Sequence, residues 1–257
     1  MEVLFTILIC FIAGIGAGLG TGFAGMSAAA AISPILITFL GMDPYEAVGI
    51  ALASDVLASA VSAYTYGKNK HLDIKNGMIM MVTVLIFTTI GSWLSSLLPS
   101  ATMGGFSVFM TMILGIKFIV KPVMKTQNAM ETLEPKQRII RSVLCGMMIG
   151  FICGFVGAGG GMMMLLVLTS ILGYELKTAV GTSVFVMAFT AFTGAASHFI
   201  IGGMPDMLAL VVCVISTLLW ARIAAKIANK ANPLTLNRMT GVILVVIGLA
   251  IFTVNLF

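Results

Sequence analysis

Long apolar runs separated by short polar stretches follow one another along the whole chain of 257 residues. We interpret ten such runs as helices, because an open strand edge cannot satisfy its backbone hydrogen bonds in lipid. In the first half they are Val3 to Thr21, Ala28 to Leu40, Ala47 to Tyr66, Gly77 to Leu98 and Thr102 to Val120. In the second half they are Ser142 to Val156, Met162 to Leu172, Thr178 to Ile201, Met207 to Ala228 and Leu236 to Phe257.

The second run of each half is too short to cross a bilayer. A full span needs about 20 residues at about 1.5 Å each, whereas Ala28 to Leu40 and Met162 to Leu172 are clearly shorter. We expect each short run to form, with the run before it, a re-entrant or short helical hairpin. The pattern therefore predicts an all-α integral membrane protein in which each half contains one hairpin and three transmembrane helices.

Composition supports this interpretation. Hydrophobic residues make up 60% of the chain and charged residues 9%, against roughly 45–50% and 25% in soluble domains. Such a chain is expected to be a multi-pass membrane protein. The formal charge of +5 fits loop residues that set orientation better than it fits a nucleic-acid-binding surface.

The two halves are related by an internal repeat with a constant offset of 132 residues and no gap. The pattern predicts a first membrane repeat at 1–120, a cytoplasmic connector at 121–141 and a second membrane repeat at 142–257. The repeated residues of the first half are Gly14, Gly18, Gly22, Phe23, Gly25, Leu36, Leu40, Gly41, Ala47, Val48, Gly49 and Ala63.

Loop charges indicate that the halves face opposite sides of the membrane. Lys68, Lys70 and Lys75 follow the third run of the first half, whereas the equivalent loop at 201–206 contains no Lys or Arg. The connector carries several basic residues and is expected inside, which puts both termini outside. An inverted repeat needs an odd number of crossings in each half, in agreement with three spans and one hairpin.

Two glycine-rich turns, at 20–27 and 154–161, are expected at the hairpin tips. Glycine leaves backbone amides uncovered and permits positive φ, so the amides can converge on an anion at the start of the following short helix. For Gly14, Gly18 and Gly22 and their equivalents, which are spaced by four, we favour close helix packing instead. The candidate anion-binding residues at the tips are Gly25, Ser27, Gly157, Gly159, Gly160 and Gly161.

Thr182 and Ser183 follow Gly181 at the start of a span, where their hydroxyls could donate hydrogen bonds to an oxyanion. Serine and threonine in membrane helices also bond back to their own backbone, which is the alternative. Asp55 is an acidic residue in the middle of a predicted span, where a carboxylate costs about 2.5–3.5 kcal/mol on insertion scales. It is either a site that couples transport to a proton or cation, or a neutral packing residue.

The chain resembles the sulfite exporter TauE/SafE family of anion permeases, through the pattern GxxxGxxxGxxGxGGG at Gly146 to Gly161 and the sequence Ala179 to Ser183. The resemblance covers nearly the whole chain, including its length, the duplicated halves and the basic connector. The resemblance implies transport of small anions, such as sulfite, sulfonates and related organosulfur or carboxylate compounds, across the inner membrane of a bacterium or archaeon. It also implies that Gly157 to Gly161 and Gly181 to Ser183 line the anion site. The first half departs from the pattern, so we expect the second half to be the main binder.

These observations predict a secondary transporter that moves a small anion by alternating access. The alternatives are an anion channel of the same fold and a non-transporting membrane scaffold. We expect no enzyme, because the membrane segments lack paired carboxylates, a nucleophile with a base and a cluster of metal ligands. We also expect no cofactor and no metal. The expected partners are a small anionic substrate, a coupled proton or cation and the lipid bilayer, with the protein a monomer or homodimer.

Overall fold

The computed structural model describes residues 2–95, 112–113, 115–123, 133–156 and 160–254. Nine helices have defined bounds among these residues, and a further helical stretch covers 115–120. In the first half they are α1 (Glu2–Ala24), α2 (Ala29–Leu40), α3 (Pro44–Lys68) and α4 (Ile74–Ser95). In the second half they are α5 (Pro135–Val156), α6 (Gly160–Ser170), α7 (Leu176–Gly202), α8 (Met207–Lys230) and α9 (Pro233–Val254).

The described helices confirm a multi-pass membrane protein. Six of them are long and apolar enough to cross a bilayer, namely α1, α3, α4, α7, α8 and α9. Helices α2 and α6 have only 12 and 11 residues, so both are short, as predicted. Most of the predicted run from Thr102 to Val120 lies outside the described residues.

The sequence placed the start of α5 too late. We expected the helix to begin at Ser142, but it begins at Pro135, so residues 135–141 of the predicted connector are helical. These turns carry Lys136, Arg138 and Arg141, whose charges lower the local hydropathy without opposing helix formation. Proline is also favourable at the first position of a helix, because its fixed φ suits the helix and its missing N–H needs no partner.

The glycines spaced by four pack against facing helices. On α1 each of these glycines faces a residue of α8, and the facing residues are also spaced by four, so the two helices run parallel. The pairs are Gly14 with Ser216, Gly18 with Trp220 and Gly22 with Ala224. Gly146 and Gly150 of α5 face Thr83 and Val84 of α4 in the same way. A Cβ atom at any of these five glycines would overlap its neighbour, which confirms close packing as their role.

Helices α3 and α7, which are equivalent in the repeat, run antiparallel against each other. Gly49 near the start of α3 faces His198 near the end of α7, while Gly181 near the start of α7 faces Tyr66 near the end of α3. This is the arrangement that an inverted repeat requires. Which end of the pair lies in the cytoplasm stays a prediction from the loop charges.

We expect single cysteines to report that orientation. In a variant without the four native cysteines, Lys70→Cys and Arg138→Cys should react with a membrane-impermeant maleimide only from the cytoplasmic side. Gly203→Cys, at the opposite end of the α3 and α7 pair, should react only from outside. The measurement is labelling in intact cells compared with inverted vesicles. If Lys70→Cys and Gly203→Cys label from the same side, the inverted repeat is wrong.

Candidate functional site

The first hairpin turns tightly between α1 and α2. Gly25 has a φ of 60°, a left-handed conformation that side-chain-bearing residues rarely adopt. The Gly25 amide donates to the Thr21 carbonyl at 3.0 Å, and the Thr21 hydroxyl donates to the Met26 carbonyl at 2.9 Å. The chain thus reverses within a few residues, and the next turn of backbone, at Ser27 and Ala28, starts α2.

The carboxylate of Asp55 caps the start of α2. Its two oxygens accept hydrogen bonds from the hydroxyls of Ser27 and Ser59, each at 2.7 Å, and it also accepts from the backbone amide of Ala28. Ala28 is the N-cap residue of α2 and provides no capping side chain itself. A negative charge is favourable there because the positive end of the helix dipole points at it, while the next amide, that of Ala29, donates to the Ser27 hydroxyl oxygen at 3.3 Å. Ser27 and Asp55, which the sequence assigned to different roles, are therefore in direct contact.

The second half has different residues at the equivalent positions. Met187 stands in the repeat where Asp55 stands in the first half, and Gly159 and Gly160 stand where Ser27 and Ala28 stand. Gly160 and Gly161 are the first two residues of α6. Gly157 and Gly159 lie outside the described residues.

Thr182 and Ser183 are both fully buried and both engaged with the protein. The Thr182 hydroxyl oxygen accepts from the Asp73 amide at 3.2 Å, and the Ser183 hydroxyl donates to the Val180 carbonyl at 2.9 Å. The back-bonded alternative therefore describes Ser183 in this structure, and an anion-binding role for both hydroxyls stays a prediction. Ser183 also touches the first tip, because a Cβ atom at Gly25 would overlap its hydroxyl.

A buried polar face runs along α3 from Asp55 towards its C-terminal end. Asp55, Ser59, Ser62 and Tyr66 are at most 1% exposed, and their spacing puts them on one side of the helix. The Tyr66 hydroxyl donates to the Gly22 carbonyl at 2.9 Å, whereas the Ser62 hydroxyl has no partner among the described residues. Of these four residues, only Asp55 was predicted from the sequence to be functional. The spacing of four, three and four residues was the signal that would have found the other three.

Polar contacts join the two halves at the end of this face. His71 Nδ1 lies 3.0 Å from Glu175 Oε1, and the Tyr174 hydroxyl donates to the Asp73 carboxylate at 2.8 Å. The hydrogen bond with His71 is the largest influence that holds the pKa of Glu175 below its usual value. Burial, followed by the nearby Asp73 charge, raises the pKa of Tyr174. Gly181 has to be glycine for this junction, because a Cβ atom there would overlap the His71 carbonyl.

Comparisons with known proteins agree with a membrane transporter. The family model described as "Sulfite exporter TauE/SafE" matches residues 10–251. The "Probable membrane transporter protein YunE" of Bacillus subtilis is 25% identical over 253 residues, which cover 93% of this chain and 92% of that protein. A "Probable membrane transporter protein" of Methanocaldococcus jannaschii is 28% identical over 261 residues, covering 95% of this chain and 92% of that protein.

Proposed function

Because this chain belongs to the sulfite exporter TauE/SafE family, we propose that it is a secondary transporter that moves a small anion across the cell membrane by alternating access. The substrate class is sulfite, a sulfonate or a related organosulfur or carboxylate anion. The family and the relatives named as membrane transporters support transport. The family description supports the substrate class, and the chemistry of the first hairpin tip supports an oxyanion as the ligand.

The observation that carries the proposal is the carboxylate held at the start of α2. In the first half, two hydroxyls and a backbone amide bind the oxygens of Asp55 at the positive end of a short helix. In the second half, α6 begins with glycines, and the residue equivalent to Asp55 is Met187. At the first tip, the bound oxyanion is the carboxylate of Asp55. We infer that the second tip binds an oxyanion from solution in the equivalent position.

Contact between the first tip and α7 offers a way to couple the two halves. Asp55 holds Ser27, and Gly25, two residues earlier, packs against Ser183 beside the second site. If Asp55 gains a proton, it loses its charge at the start of α2 and binds Ser27 and the Ala28 amide less strongly. The tip can then shift against Ser183. In this proposal, protonation of Asp55 in one half alters the anion site in the other.

Flux into liposomes that contain the purified protein tests the function. The panel is sulfite, sulfate, thiosulfate, sulfoacetate and simple carboxylates, with protein-free liposomes as the background. A carrier should show saturable uptake and counterflow, in which an unlabelled anion inside accelerates entry of the labelled one. Flux without counterflow would favour the channel. Absence of flux for every anion, with the protein folded and inserted, would contradict transport of this substrate class.

We expect Gly160→Leu to abolish anion flux while the protein stays folded, because a large side chain at the start of α6 would cover the amides that hold the anion. Gly16→Leu is the matched control. Gly16 also lies in a helix, but nothing lies within 4 Å of the position that a Cβ atom would take there. The measurement is initial uptake rate at several anion concentrations. Unchanged affinity in Gly160→Leu would remove the second tip from the site.

A further inference from the structure

A cleft of about 370 Å³ opens beside the junction of the two halves, at the end of the α3 and α7 pair that is predicted to face the cytoplasm. The loop before α4, the first turn of α4, the first turns of α5 and the start of α7 form its walls. Its volume lies at the lower end of the range of about 300–1,000 Å³ that small-ligand sites occupy. Its polar and charged lining residues are Lys70, Asp73, Lys75, Asn76, Arg138 and Thr178.

Three of these residues are basic and come from both halves of the chain. Lys70 and Lys75 belong to the first half, and Arg138 belongs to α5. The one acidic lining residue, Asp73, accepts hydrogen bonds from Asn76 and Tyr174. The lining therefore carries an excess of positive charge, and its carboxylate is already bound by other side chains.

The backbone of Lys70 is unusual. It has a φ of 62°, and among the described residues it is the one residue other than glycine with a positive φ. That conformation costs roughly 1–2 kcal/mol for a residue with a side chain. The conformation closes the C-terminal end of α3, where the amides of Lys70 and His71 donate to the carbonyls of Gly67 and Tyr66.

The cleft adjoins the predicted anion site. Thr178, in its wall, lies one helical turn before Thr182 on the same face of α7. Asp73, also in the wall, donates its backbone amide to the Thr182 hydroxyl oxygen. An anion in the cleft would therefore lie about one turn of α7 from Thr182 and Ser183.

The opposite end of the α3 and α7 pair has the opposite charge. A cavity of about 260 Å³ there is lined by two carboxylates, Asp43 and Glu46, and by His198, with no Lys or Arg in its lining. If the basic loop residues only set the orientation of the protein in the membrane, one end would be more basic. Those residues would not need to line a cleft beside the predicted anion site. A basic cleft at one mouth and an acidic cavity at the other is the pattern expected when one mouth captures anions.

We propose that the cleft lined by Lys70, Lys75 and Arg138 is a capture site for the transported anion, and the proposal rests on the transport function above. The ligand is a small oxyanion, held mainly by charge and partly hydrated. Capture concentrates the anion beside Thr182 before the transporter changes conformation. Neutralising the cleft should therefore affect how readily the anion enters from this side, and leave the later steps unchanged.

The transport test compares the double variant Lys70→Gln, Lys75→Gln with Lys68→Gln. Lys68 is a matched control, because it carries the same charge on the neighbouring turn but does not line the cleft. Uptake is measured separately from each side of oriented liposomes, at ionic strengths near 0.01 M and 0.15 M, where the Debye length is about 30 and 8 Å. At low salt, we expect the KM from the cleft side to rise about tenfold in the double variant, which corresponds to about 1.4 kcal/mol.

At the higher ionic strength this difference should shrink. A carrier cannot alter the equilibrium distribution of the anion, so the ratio of maximal rate to KM must fall by the same factor from both sides. From the opposite side we therefore expect an unchanged KM and a lower maximal rate, because release of the anion also passes through the cleft. An equal rise in KM from both sides, or the same rise in KM in Lys68→Gln, would overturn the proposal. Liposomes of phosphatidylcholine alone and liposomes with phosphatidylglycerol separate the substrate from a lipid headgroup. A rise in KM that requires phosphatidylglycerol would assign the cleft to lipid and overturn substrate capture.

A binding test keeps the cleft separate from the transport function. Sulfate should raise the melting temperature of the purified protein more than chloride does at equal ionic strength, since a ligand that binds the folded state stabilises it. The triple variant Lys70→Gln, Lys75→Gln, Arg138→Gln should lose that difference. If sulfate has no specific effect on the parent, or if the effect survives in the triple variant, the cleft is not an anion site. A sulfate effect that depends on the cleft, in a protein without flux, would overturn the transport function alone.

Discussion

Asp55→Asn is expected to abolish proton-driven accumulation of the anion while anion exchange survives. Asparagine has nearly the same size and can still accept from the Ala28 amide and bond to Ser27 and Ser59, but it cannot carry a proton. With one proton per anion, a pH difference of one unit supplies about 1.4 kcal/mol, which supports about tenfold accumulation in the parent. In Asp55→Asn the accumulation ratio should stay near one at every imposed pH difference.

Counterflow and pH-jump uptake in the same liposomes provide the measurement. Asp55→Leu is the contrasting variant, since it leaves the hydroxyls of Ser27 and Ser59 and the Ala28 amide without their acceptor. Each buried unsatisfied group costs about 1–3 kcal/mol, so both exchange and accumulation should fall. If Asp55→Asn still concentrates the anion against a gradient when the pH difference is imposed, Asp55 is a packing residue and not the coupling residue.

Gly25→Ala should reduce the rate of anion flux at least tenfold, a barrier increase of about 1.4 kcal/mol or more. Two physical effects act together at this position. The positive φ of Gly25 strains any residue with a side chain, and the new Cβ atom would overlap the Ser183 hydroxyl. The first hairpin tip would have to move away from α7. That movement breaks the contact of Gly25, two residues before Ser27, with Ser183 of the second half.

Gly41→Ala separates these two effects. Gly41 has nearly the same φ, 61°, but nothing lies within 4 Å of the position that its Cβ atom would take. We expect it to lose about 1–2 kcal/mol of stability and to keep its flux. Adding Ser183→Ala to Gly25→Ala removes the overlapping oxygen and should bring the melting temperature close to that of Gly41→Ala. If Gly41→Ala loses as much flux as Gly25→Ala, strain alone explains the loss and the contact with Ser183 is not required.

Local patterns in the sequence determined a large part of this structure. Apolar runs predicted the spans and the short α2 and α6, because hydropathy and length depend only on neighbouring residues. The constant offset of the repeat predicted equivalent helices in both halves, and Gly41 and Gly173, related by that offset, both have positive φ. The start of α5 at Pro135 was missed because a helix with a charged first turn has no hydropathy signal at its beginning.

Only the tertiary structure decided which polar groups meet. Asp55 was recognised from the free-energy cost of a carboxylate in a membrane span, but its partners Ser27 and Ala28 come from the distant turn between α1 and α2. No local pattern contains such a contact. Gly181 resembled part of an anion-binding motif, whereas its neighbour across the interface is the His71 carbonyl. The cleft likewise combines Lys70 and Arg138 from different halves. The spacing of residues and their hydropathy are local properties of the chain. A site, in contrast, depends on residues that folding brings together from distant positions.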